Sequence, residues 1–174
     1  MTSGNKRYML NMIYVVIFSE IAIFTEGLYF MPYHFASPKK LVDTEEVDQS
    51  VVENLRQTIL RQQIWTRPIA VERTQFLVMD GHHRLEVARQ LNLAVIPVVL
   101  LDYERVSVTS WRPEECITPD DIFAMARSGK KFPIKTTRHV FADDYPVCDV
   151  PLAVLAGIVA TMDSAMQGGR AVLS

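Results

Sequence analysis

One short run of the chain, Asp80-Gly81-His82-His83-Arg84, carries the side chains best suited to binding phosphate. It follows an apolar strand pattern that ends at Met79 and precedes apolar residues at helical spacing, so it falls at or just before a helix start. Unpaired backbone N–H groups and the positive end of the helix dipole favour an anion there. Gly81 lets the backbone approach a ligand closely, and Arg84 offers a planar guanidinium that matches phosphate oxygens. The run therefore predicts a phosphate site.

A second run of anion ligands lies far along the chain and comprises Lys135, Thr136, Thr137, Arg138 and His139. The lysine supplies a point charge, the arginine a fork and the threonines hydroxyl donors. By itself such a run is commonly a solvated basic loop. We expect Pro133 and the two hydroxyls to hold it as a fixed loop. Because two such runs occur in one small domain, we predict that they lie on opposite sides of one cleft.

The acidic stretch Asp43-Thr44-Glu45-Glu46 has two interpretations. Acidic residues are favoured near a helix N-terminus by the dipole, so the stretch is typical of a helix start. Alternatively, one carboxylate points into the cleft and accepts the proton of a hydroxyl substrate. Phosphoryl transfer consists mostly of positioning and charge neutralisation, so a cationic cradle, one placed carboxylate and a metal ion suffice.

Short strands and helices alternate along the part of the chain that must position these residues. The pattern predicts an α+β domain built on a small mixed sheet with flanking helices. Thr118 is expected to cap a helix that has Pro119 in its first turn and ends near Ser128. The other predicted elements are strands at His34–Ala36, Pro68–Val71, Gln75–Met79, Ile96–Leu101 and Val106–Ser110, and helices at Val47–Gln62 and Arg84–Leu91.

Length and composition set limits on function. A chain of 174 residues with 49% hydrophobic residues can bury one good core. Its net charge of −2 argues against broad binding to nucleic acid. Cys116 and Cys148 form no C-x-x-C pair, so we expect two reduced thiols in a cytoplasmic protein and no zinc site. The oligomeric state is left open.

The first 32 residues form an apolar extension with two open interpretations. Glu20 and Glu26 interrupt the apolar run before it reaches the length of a membrane span, so no stable membrane insertion is expected. The extension is either an extra β-hairpin or sequence that is not part of the native product. We expect residues 33–155 to form the domain and residues 156–174 a C-terminal tail.

The strand, the run Asp80-Gly81-His82-His83-Arg84 and the helix that follows resemble the phosphate-binding signature of the ParB/sulfiredoxin-like superfamily. Together with Glu45, Trp111 and Lys135–His139 they resemble its free L-serine kinases more than its other branches. The resemblance spans Phe35 to Leu155. It implies phosphorylation of the hydroxyl of free L-serine to O-phospho-L-serine, with ATP or ADP as donor and Mg²⁺ as cofactor.

The resemblance also implies a role for each matching residue. Glu45 would be the general base, although Glu46 stays open, and Asp80 would help to organise Mg²⁺ or the transferring phosphate. Trp111 would help to form the amino-acid pocket, or would simply pack. The nucleotide phosphates would be held from two sides by Gly81, His82, His83 and Arg84 and by Lys135, Thr136, Thr137, Arg138 and His139. One histidine of the pair has a structural role as its alternative.

Other branches of the superfamily fit the residues less well. The sulfiredoxins have a catalytic cysteine where this chain has His82, and the partition proteins add a basic helix-turn-helix domain that residues 140–174 do not supply. The segment from Arg112 to Ile134 is shorter than in the better-known serine kinases and leaves less material for a lid. A non-catalytic, nucleotide-binding ParB-like regulator is therefore the alternative function.

Overall fold

The computed structural model describes residues 33–112, 114–142 and 146–157. The predicted N-terminal extension and nearly all of the predicted tail lie outside these ranges. Within the described ranges, no helix has the length and apolar character to cross a bilayer. The strands are β1 (His34–Ala36), β2 (Ile64–Trp65), β3 (Ile69–Glu72), β4 (Val78–Asp80), β5 (Ile96–Leu101), β6 (Val106–Ser110), β7 (Thr137–Phe141) and β8 (Val150–Pro151). The α-helices are α1 (Gln49–Gln62), α2 (His82–Gln90), α3 (Pro119–Ser128) and α4 (Leu152–Leu155).

A four-stranded mixed sheet forms the centre of the fold, with the strand order β1-β5-β3-β4. β3 and β5 are parallel, whereas β1 pairs with β5 and β4 with β3 in antiparallel fashion. The connection between the parallel strands contains α2, as such a crossover usually does. The predicted α+β class with a mixed sheet is confirmed.

The main core lies between this sheet and the helices. Leu85, Val87 and Ala88 of α2 are fully buried, and α1 contributes Val52 and Ile59. They pack on sheet residues such as Ile69, Val71, Val78, Ile96 and Val98. The first turn of α2 is thereby fixed at the end of β4.

A second, smaller unit carries the other candidate residues. β6 and β7 form an antiparallel pair in which Ser110 lies opposite Thr137. The connection between them contains α3, whose Ile122 packs with Leu77 and Phe132 in a cluster separate from the main core. As predicted, Thr118 caps α3, and Asp121 completes a capping box with it.

The structure moves the bounds of several predicted elements, among them the strand expected at Gln75–Met79, which is β4 at Val78–Asp80. α1 begins at Gln49 rather than Val47 because the side chain of Asp48 accepts the Ser50 N–H at 2.8 Å and caps the helix. α2 begins at His82 rather than Arg84, so both histidines belong to its first turn. The prediction of a fixed loop at Pro133, Thr136 and Thr137 is wrong for Thr137, because Thr137 begins β7 and gains the ladder hydrogen bonds of β6.

Candidate active site

The start of α2 presents backbone N–H donors of the kind that bind anions. β4 ends at Asp80, and Gly81 turns the chain with a φ of 107°. The first bond of the helix runs from the Leu85 N–H to the Gly81 carbonyl at 2.8 Å. The N–H groups of the three preceding residues, His82 to Arg84, therefore precede the helix ladder and are the donors that a helix start offers to an anion.

The Arg84 guanidinium braces this corner. One nitrogen donates to the Pro68 carbonyl at 2.7 Å and to the Arg67 carbonyl at 3.2 Å, and the other pairs with Asp80 at 2.5 Å. Arg84 is mostly buried, whereas the Asp80 side chain is 51% exposed. Since three protein oxygens occupy the guanidinium, Arg84 offers an anion positive charge more than a free fork.

Replacement of Arg84 by alanine is expected to destabilise the corner and to weaken nucleotide binding. The buried Pro68 carbonyl would lose its donor, a loss that costs about 1–3 kcal/mol of unfolding free energy. Urea unfolding and ADP titration measure the two effects. Arg56→Ala is the matched control, because Arg56 pairs with the exposed Glu53 on α1 and such pairs contribute little. Equal losses in both variants would contradict the bracing role.

The two histidines differ in their surroundings. His82 is buried, and its Nε2 accepts the Thr44 N–H at 3.4 Å and lies 3.4 Å from the Thr44 hydroxyl. Burial lowers the pKa of His82 to about 3, so its ring is a neutral structural acceptor. His83 lies at the cleft, and its Nε2 accepts the Asp48 N–H at 3.2 Å. The structural alternative for one histidine therefore fits His82.

We expect the protein to lose stability between about pH 7.5 and about pH 5. Burial lowers the pKa of His82 to about 3 and that of His139 to about 4, whereas an unfolded histidine titrates near ~6.5. Below that value the unfolded chain binds protons that the folded chain does not, so the unfolding free energy falls with pH. The loss at pH 5 is about 2 kcal/mol for each histidine.

Urea unfolding at the two pH values measures this loss. His139→Gln should reduce the pH dependence. Equal stability at both pH values would contradict the assignment.

Glu45 is held by the second run of residues. Its Oε1 accepts the Lys135 N–H at 2.9 Å, and its Oε2 accepts the Thr137 N–H and hydroxyl, each at 2.9 Å. A carboxylate has about four lone-pair sites, so both sites of Oε2 are used and one of Oε1 remains. Glu46 is exposed, and its N–H donates to the Phe132 carbonyl. Glu45, and not Glu46, lines the cleft.

Asp43 fixes the segment that carries Glu45. Its carboxylate pairs with Arg89 of α2 at 2.9 Å and with Lys131. Although burial acts to raise the pKa of Asp43, the hydrogen bonds from Lys131 and Arg89 outweigh it and lower that pKa. The acidic stretch thus supplies one structural carboxylate and one that faces the cleft.

The other residues of the second run lie outside the cleft lining. Thr136 is buried, and its hydroxyl donates to the Pro133 carbonyl at 2.8 Å. The Arg138 guanidinium lies 4.6 Å from the centre of the Trp111 ring in a cation–π contact. The His139 ring packs beside Tyr103 and Phe141, with its Nε2 3.2 Å from the Tyr103 hydroxyl.

One cleft of about 440 Å³ brings the two runs together. It contains these predicted residues: Glu45, Asp80, Gly81, His82, His83, Arg84, Trp111 and Thr137. Its lining does not include Lys135, Thr136, Arg138 or His139. The sequence did not predict Val51, Leu55, Thr66, Arg67 or Met79 as lining residues. Val51 and Leu55 lie at helical spacing in the sequence, and this spacing alone contains no signal for a cleft.

The cleft fits a magnesium ion only in company with a phosphate. Within the described residues, no group of three or more His, Cys, Asp or Glu side chains could hold a metal ion. Mg²⁺ is commonly held by one or two carboxylates together with substrate phosphates and water. Asp80, half exposed beside the start of α2, suits that role.

Curated relatives match part of the chain. A ParB-like protein of Sulfolobus acidocaldarius is 34% identical over 63% of this chain. An ATP-dependent L-serine kinase of Staphylothermus marinus is 26% identical over 52% of it, and one of Desulfurococcus mucosus is 29% identical over 48%. The chain spans 58%, 46% and 37% of these relatives, respectively. No protein-family model matches the chain.

Two solved structures have a fold similar to that of this chain. A free serine kinase in complex with AMP superposes with a TM-score of 0.67 at 16% identity, covering 78% of this chain and 97% of the kinase. The fold is the ParB-like fold of the free serine kinases. SbnI with C-terminal truncation from Staphylococcus aureus shares this serine-kinase fold, with a TM-score of 0.66 at 15% identity, and covers 78% of this chain and 95% of that protein. The predicted ParB/sulfiredoxin-like architecture is confirmed.

Proposed function

We propose that this protein is a kinase that phosphorylates the hydroxyl of free L-serine with ATP or ADP. One observation carries the proposal: the Glu45 carboxylate and the start of α2 lie in the same cleft. A proton acceptor thus faces a phosphate site, which is the arrangement that phosphoryl transfer to an alcohol requires. The ATP-dependent L-serine kinases among the relatives, and the AMP and ADP complexes of the structurally similar kinase, support the choice of reaction.

The residues divide the reaction among them. The α2 amides of His82 to Arg84, with the charge of Arg84, bind the phosphates and orient the transferring phosphorus. The serine oxygen forms a bond to that phosphorus, and the bond from the phosphorus to the leaving phosphate oxygen breaks. ADP departs when ATP is the donor, and AMP when ADP is the donor. Glu45 Oε1 accepts the hydroxyl proton at its remaining lone pair. Mg²⁺, held by Asp80 and the phosphates, would neutralise charge on the transferring group.

The acceptor is placed at the end of the cleft that contains Glu45, Trp111 and Thr137. Trp111 is 56% exposed, and its ring offers one wall of a pocket for a small amino acid. Lys135 supports this end through its N–H on Glu45 and Arg138 through its guanidinium on the Trp111 ring, which revises their proposed role as direct phosphate ligands. We also propose a cytoplasmic location, because the free cysteines at positions 116 and 148 suit a reducing compartment.

A turnover assay tests the proposal directly. Purified protein is incubated with Mg²⁺, L-serine and either ATP or ADP, with threonine and homoserine as competing acceptors, and O-phosphoserine is measured by mass spectrometry. Serine-dependent product confirms the kinase and identifies its donor. Saturable nucleotide binding without product favours the second candidate function, a non-catalytic nucleotide-binding regulator. The similarity to a ParB-like protein of Sulfolobus acidocaldarius supports this candidate.

A further inference from the structure

Asp43 lies between two cations that come from different parts of the fold. On one side is Arg89, in the last turn of α2, whose guanidinium donates to Asp43 Oδ1 at 2.9 Å. On the other side is Lys131, whose ammonium pairs with Oδ2. Lys131 belongs to the connection between β6 and β7 and directly precedes Phe132 of the smaller hydrophobic cluster. The three charges therefore join the smaller unit to α2.

Two backbone hydrogen bonds join the segment that carries Glu45 to the same connection. The Phe132 N–H donates to the Thr44 carbonyl at 2.8 Å, and the Glu46 N–H donates to the Phe132 carbonyl at 2.9 Å. Because both bonds go to one residue, they form a single point of attachment. They do not by themselves fix how the segment is turned about that point.

The ion pair of Asp43 and Lys131 supplies a second point of attachment. Asp43 and Glu45 are two residues apart, and alternate side chains of an extended segment point to the same side. Their contacts agree with this rule, since both side chains contact the smaller unit, whereas the intervening Thr44 contacts His82 of α2. A turn of the segment would therefore displace both carboxylates together.

The exposure of Lys131 indicates that its pair with Asp43 contributes more to position than to stability. The Lys131 side chain is 45% exposed, and that of Asp43 is 18% exposed. A pair with an exposed member contributes little to the unfolding free energy, because water solvates the free cation and pairing restricts a long side chain. Asp43 also keeps Arg89 as a partner when Lys131 is replaced. Loss of the pair should therefore leave the chain folded but the segment less restricted.

We propose that Asp43 and Lys131 are positioning residues for Glu45. The ion pair holds the segment in the orientation in which the Glu45 carboxylate shares the cleft with the start of α2. The inference rests on the proposed function, in which Glu45 accepts the hydroxyl proton. Small displacements from a reactive geometry cost large factors in rate. The pair should therefore affect turnover and not nucleotide affinity.

Turnover of the whole protein with Mg²⁺, L-serine and nucleotide, beside calorimetric titration with ADP, tests the proposal. Lys131→Met keeps a long unbranched side chain and removes its charge. It should lower kcat, expressed per ADP-binding site, about tenfold. ADP affinity should stay within about twofold of wild type, because the start of α2 is unchanged. Lys131→Arg keeps a cation for Asp43 and should stay within about threefold of the wild-type kcat.

A double-mutant cycle separates positioning from a general structural effect. Asp43→Asn removes the charged partner, so Lys131→Met should lower kcat by less than about twofold further in that background. Lys130→Met is the matched control, since Lys130 is the exposed neighbour of Lys131 in the sequence, and it should not change kcat in either background. If Asp43→Asn does not fold, the comparison of Lys131→Met with Lys131→Arg decides.

Three results overturn the inference alone, each beside a wild type that forms O-phosphoserine. They are an unchanged kcat in Lys131→Met, even if that variant melts at a lower temperature, an equal loss of kcat and ADP affinity, and additive losses in the cycle. A wild-type protein that forms no O-phosphoserine overturns the proposed function and this inference with it.

Discussion

Glu45→Gln is expected to form O-phosphoserine about 10²- to 10⁴-fold more slowly than wild type while still binding ADP. The substitution removes the proton acceptor that faces the phosphate site and leaves the start of α2 untouched. The rate of product formation at saturating serine and nucleotide measures the first effect, and ADP titration measures the second. Turnover near the wild-type rate would show that Glu45 is not the base.

Two variants separate the chemistry of Glu45 from its structural contacts. Glutamine presents an NH₂ group where one oxygen accepts from Lys135 or Thr137, so part of its effect is a disturbed contact. Thr137→Val removes only the hydroxyl donated to Oε2 and keeps the carboxylate, and it should cost less than about tenfold in rate. Glu46→Gln changes an exposed carboxylate outside the cleft lining and should turn over as wild type does.

Gly81→Ala is expected to reduce both the unfolding free energy and the affinity for ADP. A Cβ on Gly81 would lie 3.1 Å from one Arg84 nitrogen and 3.2 Å from both a second one and the Ile69 side chain. The φ of 107° is also one that a residue with a side chain rarely adopts. Strain of this kind costs about 1–3 kcal/mol. Since relief requires Arg84 and the first turn of α2 to move, ADP binding should weaken more than about tenfold.

Gly129→Ala is the control for the cost of placing a side chain at a positive φ. Gly129 closes α3 with a φ of 70°, and nothing lies within 4 Å of the Cβ that the substitution would add. It should therefore lose about 1–2 kcal/mol of unfolding free energy without any change in ADP affinity. Equal ADP affinity in Gly81→Ala and wild type would contradict the role of the tight corner.

The fold could largely be predicted from local signals. β5, β6 and α3 appear where periodicity and caps place them, because Thr118, Pro119 and Gly129 are local signals that need no distant partner. β2, β8 and α4 were not predicted. β2 and β8 have two residues each, and the two strands that pair are separated by most of the domain's sequence. No local pattern encodes such a pairing.

The residue types of the candidate site were predictable, but the role of each individual residue was not. The motif at Asp80–Arg84 lies at a helix start, as its flanking patterns predict. His82 and His83 are adjacent and chemically identical, yet only packing against Thr44 buries the first. Similarly, the sequence gives no means to tell that Glu45 rather than Glu46 turns towards the backbone of Lys135 and Thr137.

The position of the base has a consequence for thermal inactivation. Glu45 is held by residues 90 and 92 positions further along the chain, and those residues belong to the β6–β7 unit with its own small hydrophobic cluster. The start of α2 belongs instead to the main core. Parts of one protein open as cooperative units of unequal stability. A transient detachment of the smaller unit would therefore release the proposed base, Glu45, while the start of α2 stays folded. The temperature at which catalysis fails would then lie below the temperature at which nucleotide binding fails, and amide hydrogens of β7 would exchange before those of α2.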